Sequence, residues 1–122
     1  MPSRETVEKF IATVEAGLHD EAIAQFYADD ATMQENLTEP RKGREALVAH
    51  ERKVMARAKE IRSWCVRPAL IDGDTVVINW IFEFDFTNGT KMRLDEIAHQ
   101  TWRGEKMARE RFYYDPAQTR PV

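Results

Sequence analysis

The chain has 122 residues, 43% apolar and 32% charged, with a net charge of −3. That is the core of one domain spanning residues 1–122; it excludes two full domains, and such ordinary apolar content with so little net charge excludes a disordered chain. No apolar run approaches the ~18 residues needed to span a bilayer, and acids and bases are interspersed, so neither a membrane nor a nucleic-acid partner is expected.

The opening Met1-Pro2-Ser3-Arg4-Glu5 lacks the apolar stretch of a secretory signal, and the single Cys65 cannot form an intramolecular disulfide. A cytoplasmic protein is expected. Ser3 is a plausible N-cap for a first helix carrying Val7, Phe10, Ile11 and Val14 at helical spacing, with Gly17 as its stop. Asp20 would cap a second short helix bearing Ala22, Ile23 and Phe26. Asp29-Asp30 reads as a turn. Ala31 to Asn36 alternates as a short strand with Ala31, Met33 and Glu35 on one face.

Pro40 and Gly43 mark a loop before a third helix, from Arg44 to about Ala58. Its stripe is Leu47, Val54 and Ala58, and His50 lies within it. Beyond Ile61 the period becomes two. Strands are expected over Val66–Ile71, Thr75–Phe86, Lys91–Trp102 and Met107–Tyr114. The turns between them fall at Asp72-Gly73-Asp74, Asn88-Gly89 and Gly104. Helices followed by hairpin-linked strands predict an α+β fold, with helices packed on one face of a mostly antiparallel sheet.

Alternation assigns the faces. Val76, Ile78, Trp80, Phe82, Phe84 and Phe86 point one way, as do Met92, Leu94, Glu96, Ala98, Gln100 and Trp102. In the last strand Glu110, Phe112 and Tyr114 share the inner face. Met107 also belongs inside, so a bulge is expected near Ala108. Glu35, His50, Glu96, Gln100 and Glu110 therefore converge as polar groups on an apolar surface, walled by Met33, Trp80, Phe82, Phe112 and Tyr114. A carboxyl in such a pocket holds its proton longer, which suits it to proton transfer, and His50 suits acid or base work. The competing reading is structural. Each inward Glu would pair with Arg93, Arg109 or Arg111 if the faces were shifted by one, His50 would be a hydrogen-bonded core residue, and the aromatic residues would be plain core.

Other motifs carry little. Glu96-x-x-His99 has the letters of a metal-ligand pair, but on a strand residues three apart face opposite ways. No metal or cofactor site is expected. Asn36-Leu37-Thr38 has the letters of a glycosylation sequon, with no sign of secretion beside it. Nothing near Cys65 marks a nucleophile, and no P-loop, dinucleotide fingerprint or nucleophile elbow is present.

The stretches Glu21–Thr32, Glu39–Ala46 and Trp102–Pro116 resemble the NTF2-like superfamily, and within it the SnoaL-like polyketide cyclase and ketosteroid isomerase relatives. The resemblance spans essentially the whole chain. It implies a cone-shaped α+β barrel, in which three N-terminal helices pack into a curved, mostly antiparallel sheet with a pocket at the open end. It also implies a homodimer through the outer sheet face, here carrying Arg93, Asp95, Ile97, His99, Arg109 and Arg111.

In ketosteroid isomerases a carboxylate base lies on the first strand, shortly before a Glu-Pro-Arg-x-Gly loop. With one deletion allowed, Glu35 takes that place. The Tyr and protonated Asp of the isomerase oxyanion hole align with Phe10 and Ala98, neither of which donates a hydrogen bond. Loss of both argues against a ketosteroid isomerase. The cyclases use an acid on the last strand with polar support from its neighbour, and Glu110 and Glu96 are similarly placed. The expectation is a small-molecule pocket protein, a cofactor-independent isomerase, cyclase or hydrolase using carboxylates on a mostly apolar ligand. The alternative is a non-catalytic ligand-binding or dimerisation module of the same fold.

Overall fold

The computed structural model describes residues 1–120. Its elements run α1 (Arg4–Glu15), α2 (His19–Phe26), β1 (Tyr27–Glu35), β2 (Arg41–Lys42), α3 (Arg44–Ala56), β3 (Ala58–Asp72), β4 (Thr75–Phe86), β5 (Lys91–Arg103) and β6 (Lys106–Tyr113), then a 3-10 turn over Pro116–Thr119. The strands form one sheet of order β2-β1-β6-β5-β4-β3. Every pairing is antiparallel except β1 with β6, which is parallel. Only two of the three helices precede the sheet. The third follows β1 and β2, so helices and strands are interspersed. Among the described residues no helix is long and apolar enough to cross a membrane.

Local chemistry explains the elements. Ser3 Oγ accepts from the Thr6 amide at 3.1 Å, capping α1. The helix ends at Gly17, whose φ of +83° lets the chain turn left-handed at no steric cost. Its buried stripe is Val7, Phe10, Ile11 and Val14. In α2 the cap position is Leu18, not Asp20; Asp20 sits in the first turn, where a carboxylate favours the helix dipole.

Two boundaries differ from the pattern reading. Asp29-Asp30 is no turn but an irregularity inside β1. Between the pairs Tyr27–Met107 and Thr32–Arg109 the chain advances five residues against two. The extra length turns both carboxylates outward, to Arg44 and Arg103. Ala58 does not end α3; it begins β3, which runs well before and past the expected Val66–Ile71. Lys59, Glu60 and Arg62 hid that start, because they are outer-face charges on a strand half exposed to water.

The inner face is layered along the strands. Toward the β5–β6 turn, Val76, Ile78, Ala98, Trp102 and Met107 pack against Val7 and Ile11 with almost no exposure. Toward the β4–β5 hairpin the inner residues spread apart. Bulky aromatics there line a space that the helices do not fill. The sheet and the three helices thus close one end and leave the other open.

Candidate functional site

The open end holds a cavity of about 380 Å³. Its floor and one wall come from Trp80, Phe82, Phe84 and Phe86 on β4 and Met92 and Leu94 on β5. Trp80 and Phe82 are stacked, with ring centroids 5.5 Å apart. Phe10 closes the inner side, edge-on to Trp80. Such a concave, aromatic space with a few polar groups is the usual form of a small-molecule site.

Glu110 and Glu96 reach this space from adjacent strands. Glu110 is inside because β6 carries one extra residue: Thr101 pairs with Arg109 but Trp102 pairs with Met107, leaving Ala108 as the bulge. Met107 and Glu110 can then both face inward. The Glu110 carboxylate is 1% exposed and accepts two hydrogen bonds. The Tyr27 hydroxyl donates to Oε1, and Gln100 Nε2 donates to Oε2 at 2.7 Å. Gln100 is itself oriented by Trp102, whose indole N–H donates to Oε1 at 3.0 Å. An indole nitrogen only donates, so the amide oxygen must face it and the amide N–H₂ must face Glu110.

Burial pushes the Glu110 carboxyl up to about 7, against the opposing pull of the two hydrogen bonds. Burial, reinforced by Glu110, holds the Tyr27 hydroxyl well above the ordinary tyrosine value. Glu96 is 6% exposed. Burial, with repulsion from Glu110, Glu35 and Glu51, pushes it up to about 8. Among the described residues no hydrogen bond reaches its carboxylate.

The other sequence candidates lie as follows. Met33, Trp80, Phe82, Phe112 and Tyr114 line the cavity, and burial raises the Tyr114 hydroxyl. Glu35 lines its mouth, partly exposed, with Arg41 at 3.7 Å. His50 lines the α3 wall. Gln100 does not line the cavity; it is fully buried one layer deeper and reaches the space only through Glu110. Glu96 faces in while His99 is exposed on the other side of β5. Among the described residues no group of His, Cys, Asp and Glu is placed to hold a metal ion. Cys65 is buried, and burial pushes its thiol up.

Three wall residues escaped the sequence reading. His19 Nε2 lies 2.8 Å from Ser63 Oγ, and its Nδ1 lies 3.5 Å from Glu51 Oε1. His19 and Glu51 both line the cavity. The signal was present: His19 precedes Ala22, Ile23 and Phe26 by three, four and seven residues, and Glu51 falls four after Leu47. Assigning Asp20 as the cap left His19 outside the helix. Tyr27 was hidden by the irregularity in β1, which breaks the alternation that would have placed it inside.

A family model described as a SnoaL-like domain matches residues 7–110. No curated protein matches by sequence. Among solved structures, a candidate SnoaL-like polyketide cyclase from Mesorhizobium loti superposes with a TM-score of 0.78 at 22% identity, covering 93% of this chain and 100% of that one. A hypothetical protein of ketosteroid isomerase-like fold from Catenulispora acidiphila, solved in complex with trimethylamine, gives 0.79 at 19%, covering 95% and 89%. An LEH-like epoxide hydrolase from Mycobacterium tuberculosis gives 0.76 at 13%, covering 93% and 83%. At these identities the likeness is one of fold.

Proposed function

The chain belongs to the SnoaL-like domain family, of NTF2-like fold, and from that premise we propose that it binds a small, mostly apolar ligand bearing a carbonyl or hydroxyl and moves a proton on it without a cofactor. Isomerisation, aldol-type cyclisation and hydrolysis all begin with such a step. The observation that carries the reading is Glu110: a fully buried carboxyl, held near neutrality and bonded to the hydroxyl of a second cavity residue, Tyr27.

The bond pattern gives the mechanism. Ionised Glu110 accepts from Tyr27, which lines the cavity. A proton leaving the ligand would pass to the Tyr27 oxygen as the Tyr27 hydrogen passes to Glu110 Oε1; Gln100 already donates to Oε2, so the new proton on Glu110 resides on Oε1 and is donated back to Tyr27. The Tyr27 hydrogen then turns to the ligand. Glu110 thus acts as base and acid through one hydroxyl, and a pKa near the working pH suits both roles. Glu96 would polarise the ligand from the neighbouring strand, and Glu35 and His50 would meet its outer end.

Exchange of α-hydrogens tests this without knowledge of the natural ligand. 2-Tetralone, a bicyclic ketone with acidic α-hydrogens, is incubated in D₂O with the protein and followed by proton NMR. Faster exchange with wild type than with Glu110→Gln supports the reading. Equal exchange with both variants and with an unrelated protein overturns it.

A homodimer through the outer sheet face belongs to the same proposal. Val66, Asn79, Ile97 and Tyr113 form one cross-strand row there, and Trp64 lies beside it. Trp64, Val66, Ile97 and Tyr113 are exposed. The charges around the row have both signs, as a self-complementary surface requires.

A further inference from the structure

Among the described residues, Glu96 is a buried cavity group whose surroundings do not answer its charge. Glu110, the more deeply buried, has two donors; Glu96 has none among the described residues. Its nearest influential charges are carboxylates, Glu110 on β6, Glu35 on β1 and Glu51 on α3. The basic groups of the wall are occupied elsewhere or stand off. Arg41 at the mouth faces Glu35, and Arg57 is exposed at the rim. The His19 ring nitrogens face Ser63 and Glu51, and neither His19 nor His50 donates to Glu96. A buried carboxylate without a partner is costly; it either keeps its proton or meets a cation.

The walls beside it favour a particular cation. Trp80 is the direct cross-strand neighbour of Glu96, and Phe82 stacks on Trp80. Tyr114, on the β6 side, is close enough for Glu96 to raise its hydroxyl. Aromatic faces attract cations whose charge is spread over alkyl groups and weakly hydrated, while a metal ion would demand converging ligands, and no His, Cys, Asp and Glu group among the described residues is placed to supply them.

We propose that the Glu96 end of the cavity is a binding site for a small organic monocation, a protonated or quaternary amine with apolar substituents, with Glu96 as counter-ion and the aromatic side chains of the cavity around it. This rests on the reading that the cavity takes a ligand and names that ligand's class; it does not depend on turnover. Glu96 would anchor, while Glu110 and Tyr27 carry the proton chemistry.

Calorimetry on the full chain, with benzyltrimethylammonium and with benzyl alcohol as the uncharged comparison, tests it. The cation should bind at least tenfold more tightly at pH 8. Its affinity should fall about 50-fold from pH 8 to pH 6, the ratio of ionised fractions for a group at about 8. At pH 7 it should displace close to one proton per ligand, read by repeating the titration in phosphate and in Tris. Glu96→Gln should abolish both the preference and the proton release, and Glu83→Gln, on the outer face, should change neither. Equal affinity for the two probes, no binding of the cation at millimolar concentration, or a preference that survives Glu96→Gln would overturn the proposal. Should Glu96→Gln fail to fold, proton release by the wild type decides alone. A wild-type chain with no cation preference but with 2-tetralone exchange sinks this inference and leaves the proton-transfer reading standing; the reverse result does the opposite.

Discussion

Glu110 and Glu96 show how little a residue's identity determines before its surroundings are known. Both are glutamates on inward strand positions, yet one is tied to Tyr27 and Gln100 and the other is bare. Tyr27→Phe removes only a buried hydroxyl, so the fold should persist while 2-tetralone exchange falls about 100-fold, the usual worth of a positioned acid or base. Because the base form of Glu110 is needed, exchange should rise tenfold per pH unit below about 7 and level off above it.

Glu96 makes a separate prediction about stability. Its folded pKa, about 8, lies above the ordinary 4.5, so the native state holds a proton that the unfolded state has lost. Stability therefore declines as pH rises from about 4.5 to about 8 and is level outside that window. Glu96→Gln removes this contribution and leaves the like contribution of Glu110. The variant's unfolding free energy in urea should match wild type near pH 4.5 and exceed it at pH 9 by roughly a few kcal/mol. A constant difference across that range would contradict this account. Alternation alone exposed the inward direction of both carboxyls. It could not show their partners, because Tyr27 comes from a strand whose period is broken and the Gln100 clamp depends on contacts between strands.

At the scale of elements, the site depends on irregularities. Without the Ala108 bulge, β6 could bury Met107 or Glu110 but not both. That bulge was legible, since two inward-demanding residues three apart cannot obey a period of two. The irregularity in β1 was not, because two adjacent aspartates read more simply as a turn. Deleting Ala108 leaves Met107 and Glu110 two residues apart, both inward on a regular strand, so the fold should persist with a loss of about 1 kcal/mol or less in urea unfolding. A loss of several kcal/mol would refute the role given to the bulge. The early start of β3 escaped for another reason: half its residues face water, and helix-favouring Lys59, Glu60 and Arg62 continue the composition of α3.

For the whole molecule, a sheet bent around three helices gives both a closed core and an empty end, while its convex side carries an apolar row. If that row is a dimer contact, light scattering at micromolar concentration should report twice the chain mass. The paired change Trp64→Glu and Ile97→Glu should return the single-chain mass without loss of helix or sheet signal in circular dichroism. A wild-type chain that scatters as a monomer would remove the contact. The α+β outline was legible from sequence, because helix stripes, turn pairs and strand alternation all agree, and the NTF2-like likeness lay in the stretches Glu21–Thr32, Glu39–Ala46 and Trp102–Pro116. The order of helices was legible too, since Ala31–Asn36 reads as a strand ahead of the third helix; only the two-residue β2 was hidden, because it lies within what reads as a loop.

The ends of the described chain sit at opposite poles of this architecture. Ser3 is held by Glu105 in the β5–β6 turn, at the packed pole. Gln118, by contrast, bonds both the amide and the carbonyl of Asp95 where β6 no longer covers β5, which brings Thr119 to the rim of the cavity. A purification handle or reporter joined after Thr119 would crowd the entrance, whereas one joined before Ser3 would leave it clear. Conversely, a fluorophore attached near Thr119 would sense a guest entering, which makes this terminus a ready place to read binding by light.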